Sequence, residues 1–135
     1  MAIDIAIDTN RYRDFADGAP EAVSVFRTSP RILIPFVVVA ELRAGFAVGS
    51  RGAQNERVFE QFLHRPRVEV LLPTMDTTRH YANLYRQLRY AGTPIPTNDL
   101  WIAALVVEHD VLLYSRDAHF DALPQLPRLR PEERR

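Results

Sequence analysis

No lysine occurs anywhere in the 135 residues; all 17 basic positions are arginine. This excludes a P-loop lysine, a Schiff-base lysine and the lysine that partners an aspartyl phosphate. Cysteine is absent as well, so there is no disulfide framework, no thiolate zinc site and no cysteine nucleophile. No apolar run approaches the roughly 20 residues of a membrane-spanning helix. The N-terminus reads as a strand that turns polar at once, not as a signal peptide, and a cytoplasmic protein is expected. Net charge is formally zero, so broad electrostatic affinity for a polyanion is not expected. What remains is arginine in particular places, a planar and permanently charged fork suited to phosphate.

The 47% hydrophobic and 25% charged composition is that of a globular chain. Its length suits one domain over 1–135, with a Pro- and Arg-rich tail from about residue 127 that is either flexible or RNA-facing. Short apolar runs at Ile3–Ile7, Ile32–Ile34, Val68–Leu72 and Val111–Tyr114 predict strands. Leu126–Leu129 is a candidate fifth, at an edge. Helices are predicted from near Arg11, over Glu21–Arg27, from Pro35 to about Phe46, over Gln54–His64, Asp76–Tyr90 and Asp99–Glu108, with a helical turn at Ala118–Leu123. Thr97 and Asn98 read as N-cap residues of the helix carrying Asp99. Strands alternating with helices predict an α/β fold: a three-layer α/β/α sandwich around a mostly parallel sheet of four to five strands.

That topology gathers acids that are far apart in sequence. Asp8 and Asp117 follow strands, Asp99 opens a helix, and Glu41 lies less than two turns into another. All four reach the C-terminal edge of the sheet, where open α/β folds bind ligands. Taken singly, each has an ordinary explanation. Asp8 suits an Asx-turn, Asp99 a helix dipole, Asp117 the cap of the following turn, and Glu41 a buried ion pair with Arg43 or Arg116. Taken together they are hard to explain without a cation, because carboxylates about 5 Å apart repel by ~3 kcal/mol at an effective dielectric near 20. All-oxygen ligation points to a hard ion, Mg²⁺ or Mn²⁺. His64, His80, His109 and His119 show no metal-ligand spacing and read as surface residues. Arg11, Arg13, Arg43, Arg89 and Arg116 are candidates to hold RNA phosphates near the acids.

Asp8-Thr9-Asn10, Val39-Ala40-Glu41-Leu42-Arg43-Ala44-Gly45, Pro96-Thr97-Asn98-Asp99-Leu100-Trp101-Ile102-Ala103-Ala104 and Ser115-Arg116-Asp117-Ala118-His119-Phe120 follow one another along the chain. In that order they resemble the PIN domain, in the form seen in VapC-type toxins of bacterial type II toxin–antitoxin systems. The resemblance implies an endoribonuclease that cleaves RNA phosphodiester bonds with metal-activated water, using Mg²⁺ or Mn²⁺. It implies metal ligation at Asp8, Asp99 and Asp117, with Glu41 completing the catalytic acids. Thr9, Asn10, Asn98 and Ser115 would support the site. It also implies a VapB-like antitoxin partner, a homodimer, operator DNA bound only through the antitoxin complex, and no membrane. Two other readings keep the same fold: a catalytically silent interaction module and a DNA-directed nuclease.

Overall fold

The computed structural model describes residues 3–131. Four parallel strands form one sheet in the order β3-β2-β1-β4: β1 Ile5–Ile7, β2 Ile32–Pro35, β3 Val68–Leu71 and β4 Leu112–Tyr114. In the central pair β1 and β2 every residue is buried, as expected of parallel strands covered on both faces. Six helices fill the crossovers: α1 Thr9–Ala16, α2 Pro20–Thr28, α3 Phe36–Val48, α4 Gly52–Leu63, α5 Met75–Ala91 and α6 Thr97–His109. A 3₁₀ turn, Ala118–Ala122, follows β4.

The chain steps from β1 to β2 to β3 in one direction and then returns past β1 to β4. Right-handed crossovers therefore put α1–α4 on one face and α5–α6 on the other. The reversal lies between β1 and β4, and the crevice beyond their C-terminal ends is the place such sheets hold ligands. Helix α6 is apolar almost all round, and Leu100 together with Ile102–Val106 is buried. Its burial fixes the first turn, and hence Asp99, relative to the sheet.

Several predicted boundaries shift for identifiable reasons. The first strand begins at Ile5, and Ile3 is 43% exposed. Pro35 ends β2 and is the N-cap of α3, with ψ at 143°, so the helix starts one residue later than expected. Pro96 is likewise the N-cap of α6, which starts at Thr97, two residues earlier than expected. Thr97 and Asn98 thus occupy the first helical turn instead of capping it. The segment Leu126–Leu129 does not form a strand. A single parallel bridge joins Leu113 to Arg128, with Leu113 N–H donating to the Pro127 carbonyl and Leu129 N–H to that of Leu113, both at 2.9 Å. Prolines 127 and 131 have no N–H and cannot extend a ladder. The described part of the tail is therefore fastened beside β4; residues 132–135 of that predicted tail lie outside the described residues.

The α3–α4 junction turns on close packing at Gly52. A Cβ there would sit 2.0 Å from the carbonyl oxygen of Phe46. Gly52→Ala must push the two helices apart, at a cost of about 1–3 kcal/mol. Urea denaturation should show a lowered midpoint at unchanged slope; an unchanged midpoint would refute this packing.

Candidate active site

Asp8 is 6% exposed at the end of β1 and caps α1. Its Oδ1 accepts the Arg11 backbone N–H at 3.0 Å, and its Oδ2 accepts the hydroxyl of Ser115. The Ser115 oxygen also accepts the backbone N–H of Asp117 at 3.0 Å. One buried hydroxyl thus ties the end of β1 to the end of β4. Ser115→Ala leaves a buried carboxylate oxygen and a backbone N–H short of a partner, a loss of about 1–3 kcal/mol. The expected result is a lower unfolding midpoint for Ser115→Ala than for Ser115→Thr, which keeps the hydroxyl.

Glu41 projects from the middle of α3, and the hydroxyl of Thr9 donates to its Oε1 at 3.4 Å. Asp99 sits in the first turn of α6, where the helix dipole favours a negative charge. Asp117 caps the 3₁₀ turn and accepts the His119 backbone N–H at 2.9 Å. Three of the four single-residue explanations are thus physically present, and the acids converge all the same. Asp8, Glu41, Asp99 and Asp117 line one open pocket of about 200 Å³ with Thr9, Asn10, Arg13 and Ile102.

The electrostatics record that crowding. Burial raises the Asp8 carboxyl above the usual carboxylate range, against the Ser115 hydrogen bond that lowers it. Burial, with Asp8 and Asp117 nearby, raises Glu41. Asp99 is pushed up to about 6, first by burial and then by repulsion from Asp117. Among the described residues, no arginine comes within salt-bridge distance of any of the four. Arg11 and Arg13 act on Asp8 and Glu41 only from beyond ion-pair distance, and burial outweighs them.

Of the five arginines considered from sequence, only Arg13 lines this pocket. Its guanidinium lies over Gly45, where a Cβ would meet Nη2 at 3.1 Å. Arg11 pairs with Asp14 and Glu21, both at 3.4 Å, and lies over the Tyr114 ring at 4.0 Å. Arg116 holds Asp14 through two bonds of 3.1 and 3.0 Å. Arg43 turns away to Glu56 and Glu60. Arg89 borders a separate apolar groove with Tyr85, Leu88 and Ile95. Asn10 is on the pocket rim; Asn98 is exposed and outside its lining.

His119, expected from sequence at the surface, is exposed there but stands against two of the acids. The Nδ1 of His119 lies 3.1 Å from Asp99 Oδ2 and 2.9 Å from Asp117 Oδ1. Searching for helical histidine spacing could not find it. The available signal was its position two residues after Asp117, at a turn that bends back over its own cap.

Residues 5–126 match the family model described as PIN domain. Ribonuclease VapC1 of Haemophilus influenzae is 36% identical over 104 residues, covering 71% of this chain and 75% of that protein. Ribonuclease VapC4 of Mycobacterium tuberculosis is 29% identical over 93 residues, covering 69% and 72%. Among solved structures, VapBC-1 from nontypeable Haemophilus influenzae superposes with a TM-score of 0.83 at 27% identity, covering 96% of this chain and 99% of the other. Rickettsia felis VapBC2, bound to a DNA fragment from its promoter, gives 0.81 at 23% identity, covering 94% and 98%, a likeness of fold.

Proposed function

The chain belongs to the PIN domain family, and from that premise we propose that it is a metal-dependent endoribonuclease acting as the toxin of a type II toxin–antitoxin pair. The observation that carries this reading is the pocket where Asp8, Glu41, Asp99 and Asp117 meet without an arginine in ion-pair reach. Its donors fit a hard divalent cation, Mg²⁺ or Mn²⁺: carboxylate oxygens at the mouth of an open pocket, with Asp99 already destabilised as an anion. Asp8, Asp99 and Asp117 would hold the ion. When bound, such an ion supplies charge neutralisation for a phosphodiester and makes water more acidic.

The protein's own residues do the rest. Glu41, braced by the Thr9 hydroxyl, accepts a proton from the attacking water as its oxygen bonds to phosphorus. The bond from phosphorus to the leaving ribose oxygen breaks, and that oxygen takes a proton from solvent. Arg13 at the rim holds a flanking phosphate. Ser115 keeps Asp8 and Asp117 in register.

A small VapB-like antitoxin is the expected partner, supported by the likeness to VapBC assemblies, and an acidic pocket suits blockage by a basic side chain. Operator DNA would be bound through that complex. Met75, Tyr85 and Tyr90 on α5 are exposed at 81, 50 and 83%, apolar surface that suits a homodimer or the antitoxin. No described helix is long and apolar enough to cross a membrane; a cytoplasmic setting follows from the proposed RNA substrate. The test is incubation with total RNA and Mn²⁺, with and without excess EDTA. Internal cuts that appear only with metal support the enzyme. Metal-independent cuts overturn the metal-dependent chemistry, no cuts over a broad RNA panel overturn the enzyme in favour of the silent module, and cleavage of DNA alone would favour the DNA-directed nuclease.

A further inference from the structure

The imidazole of His119 has no part in the steps above, yet it is held against two of the acids. We propose that His119 Nδ1 is a ligand of the same cation as Asp99 and Asp117, making a mixed nitrogen and oxygen centre that prefers Mn²⁺ to Mg²⁺. The inference rests on the reading of the acidic pocket as a metal site and adds to it the identity of a ligand and of the ion.

The placement is built by the backbone. Asp117 caps the 3₁₀ turn and accepts the His119 N–H at 2.9 Å. The turn packs Phe120 into the core, and the side chain of His119 stands beside the carboxyls of Asp99 and Asp117. Nδ1 then stands 2.9 Å from Asp117 Oδ1 and 3.1 Å from Asp99 Oδ2. One ligand atom from each of the three residues lies within 4.8 Å of the other two. Adjacent ligands of an octahedral ion with bonds of ~2.1 Å are about 3 Å apart. The two separations, which are also those of hydrogen bonds, match the spacing of neighbouring coordination positions. An ion can therefore take the place of the shared proton with little movement of the three side chains.

A proton on Nδ1 would be donated to these carboxylates; with the ring proton on Nε2, the Nδ1 lone pair is free for the ion. An imidazole nitrogen shifts preference away from Mg²⁺, which selects oxygen and water, toward first-row transition ions. The side chain is 53% exposed, so replacing it tests ligation without threatening the fold.

The decisive readout is electron spin-echo modulation of Mn²⁺ bound to the RNA-free protein, alongside calorimetric titration with Mn²⁺ and with Mg²⁺. The wild type is expected to show ¹⁴N modulation from a coordinated imidazole, and His119→Asn to lose it. The variant should bind Mn²⁺ about tenfold more weakly, with Mg²⁺ affinity little changed. Bound Mn²⁺ without ¹⁴N modulation, or an unchanged Mn²⁺ to Mg²⁺ ratio in His119→Asn, overturns the role of His119 and leaves the carboxylate site standing. Failure of the wild type to bind Mn²⁺ at all overturns both.

Discussion

Asp99→Asn is expected to abolish RNA cleavage while making the metal-free protein more stable. Losing a ligand removes several kcal/mol of transition-state charge stabilisation, roughly a 10³-fold fall in rate or more. The stability gain has a separate cause. The Asp99 carboxyl is raised to about 6 from 3.8, so the folded state holds its proton over a range where the unfolded chain has released it. Stability therefore falls as pH rises from about 4 to about 6, and the full penalty is present at pH 7. With the side chain 16% exposed, some solvent screening remains, and the penalty is about 1–2 kcal/mol. Asparagine removes it, so thermal unfolding in EDTA at pH 7.5 should shift upward by about 3–8 °C. At pH 4 the difference should vanish. Asp8→Asn is the companion variant, because asparagine keeps an N-cap oxygen for α1; it should lose cleavage without losing the fold. Cleavage retained in both variants would sink the site assignment, and an unchanged Asp99→Asn midpoint would remove the electrostatic account.

Metal addition should reverse the same penalty in the wild type. An ion at ~100 times its dissociation constant stabilises the folded state by about 2.7 kcal/mol, a midpoint rise of roughly 8–15 °C. Excess EDTA should abolish both this rise and the cleavage. The sign of the pH dependence follows from Asp99. Below about 6 its carboxyl carries a proton that the ion must displace, so affinity should fall with falling pH, by at most about tenfold per unit for this one proton. Above that point Asp99 contributes no further change. Mn²⁺ affinity that is flat from pH 5 to 7.5 would show that Asp99 is not a ligand, even if the ion binds.

Local pattern made most of the fold legible. The apolar runs of β1, β2 and β4 and the stripes of α4 and α5 stand out because parallel strands buried on both faces and amphipathic helices have distinct periodicities. The boundaries misplaced at Ile3, Pro35 and Pro96 lie at an exposed strand end or at a proline. Pro35 and Pro96 each combine a helix-compatible φ with an extended ψ, so both belong to the residue before the helix. The predicted edge strand shrank to one bridge at Arg128 because Pro127 lends its carbonyl but has no N–H.

The acids show what kind of knowledge each level holds. The sequence by itself determined that Asp8, Glu41, Asp99 and Asp117 flank apolar runs in the PIN order, and that no lysine or cysteine chemistry is available. It could not separate a capping carboxylate from a pocket carboxylate, because Asp8 and Asp117 cap their helical turns and line the acidic pocket at once. Nor could it choose among arginines: proximity in sequence offered Arg11, Arg13, Arg43, Arg89 and Arg116 alike, whereas the fold commits Arg11 and Arg116 to Asp14 and brings Arg13 past Gly45 to the pocket. His119 looked like surface because its contacts come from a helix 20 positions earlier and from the cap of its own turn. Only tertiary structure decides such matters. A side chain's charge partners are set by which ends of which elements meet in space, whereas periodicity reports only which face of each element is buried.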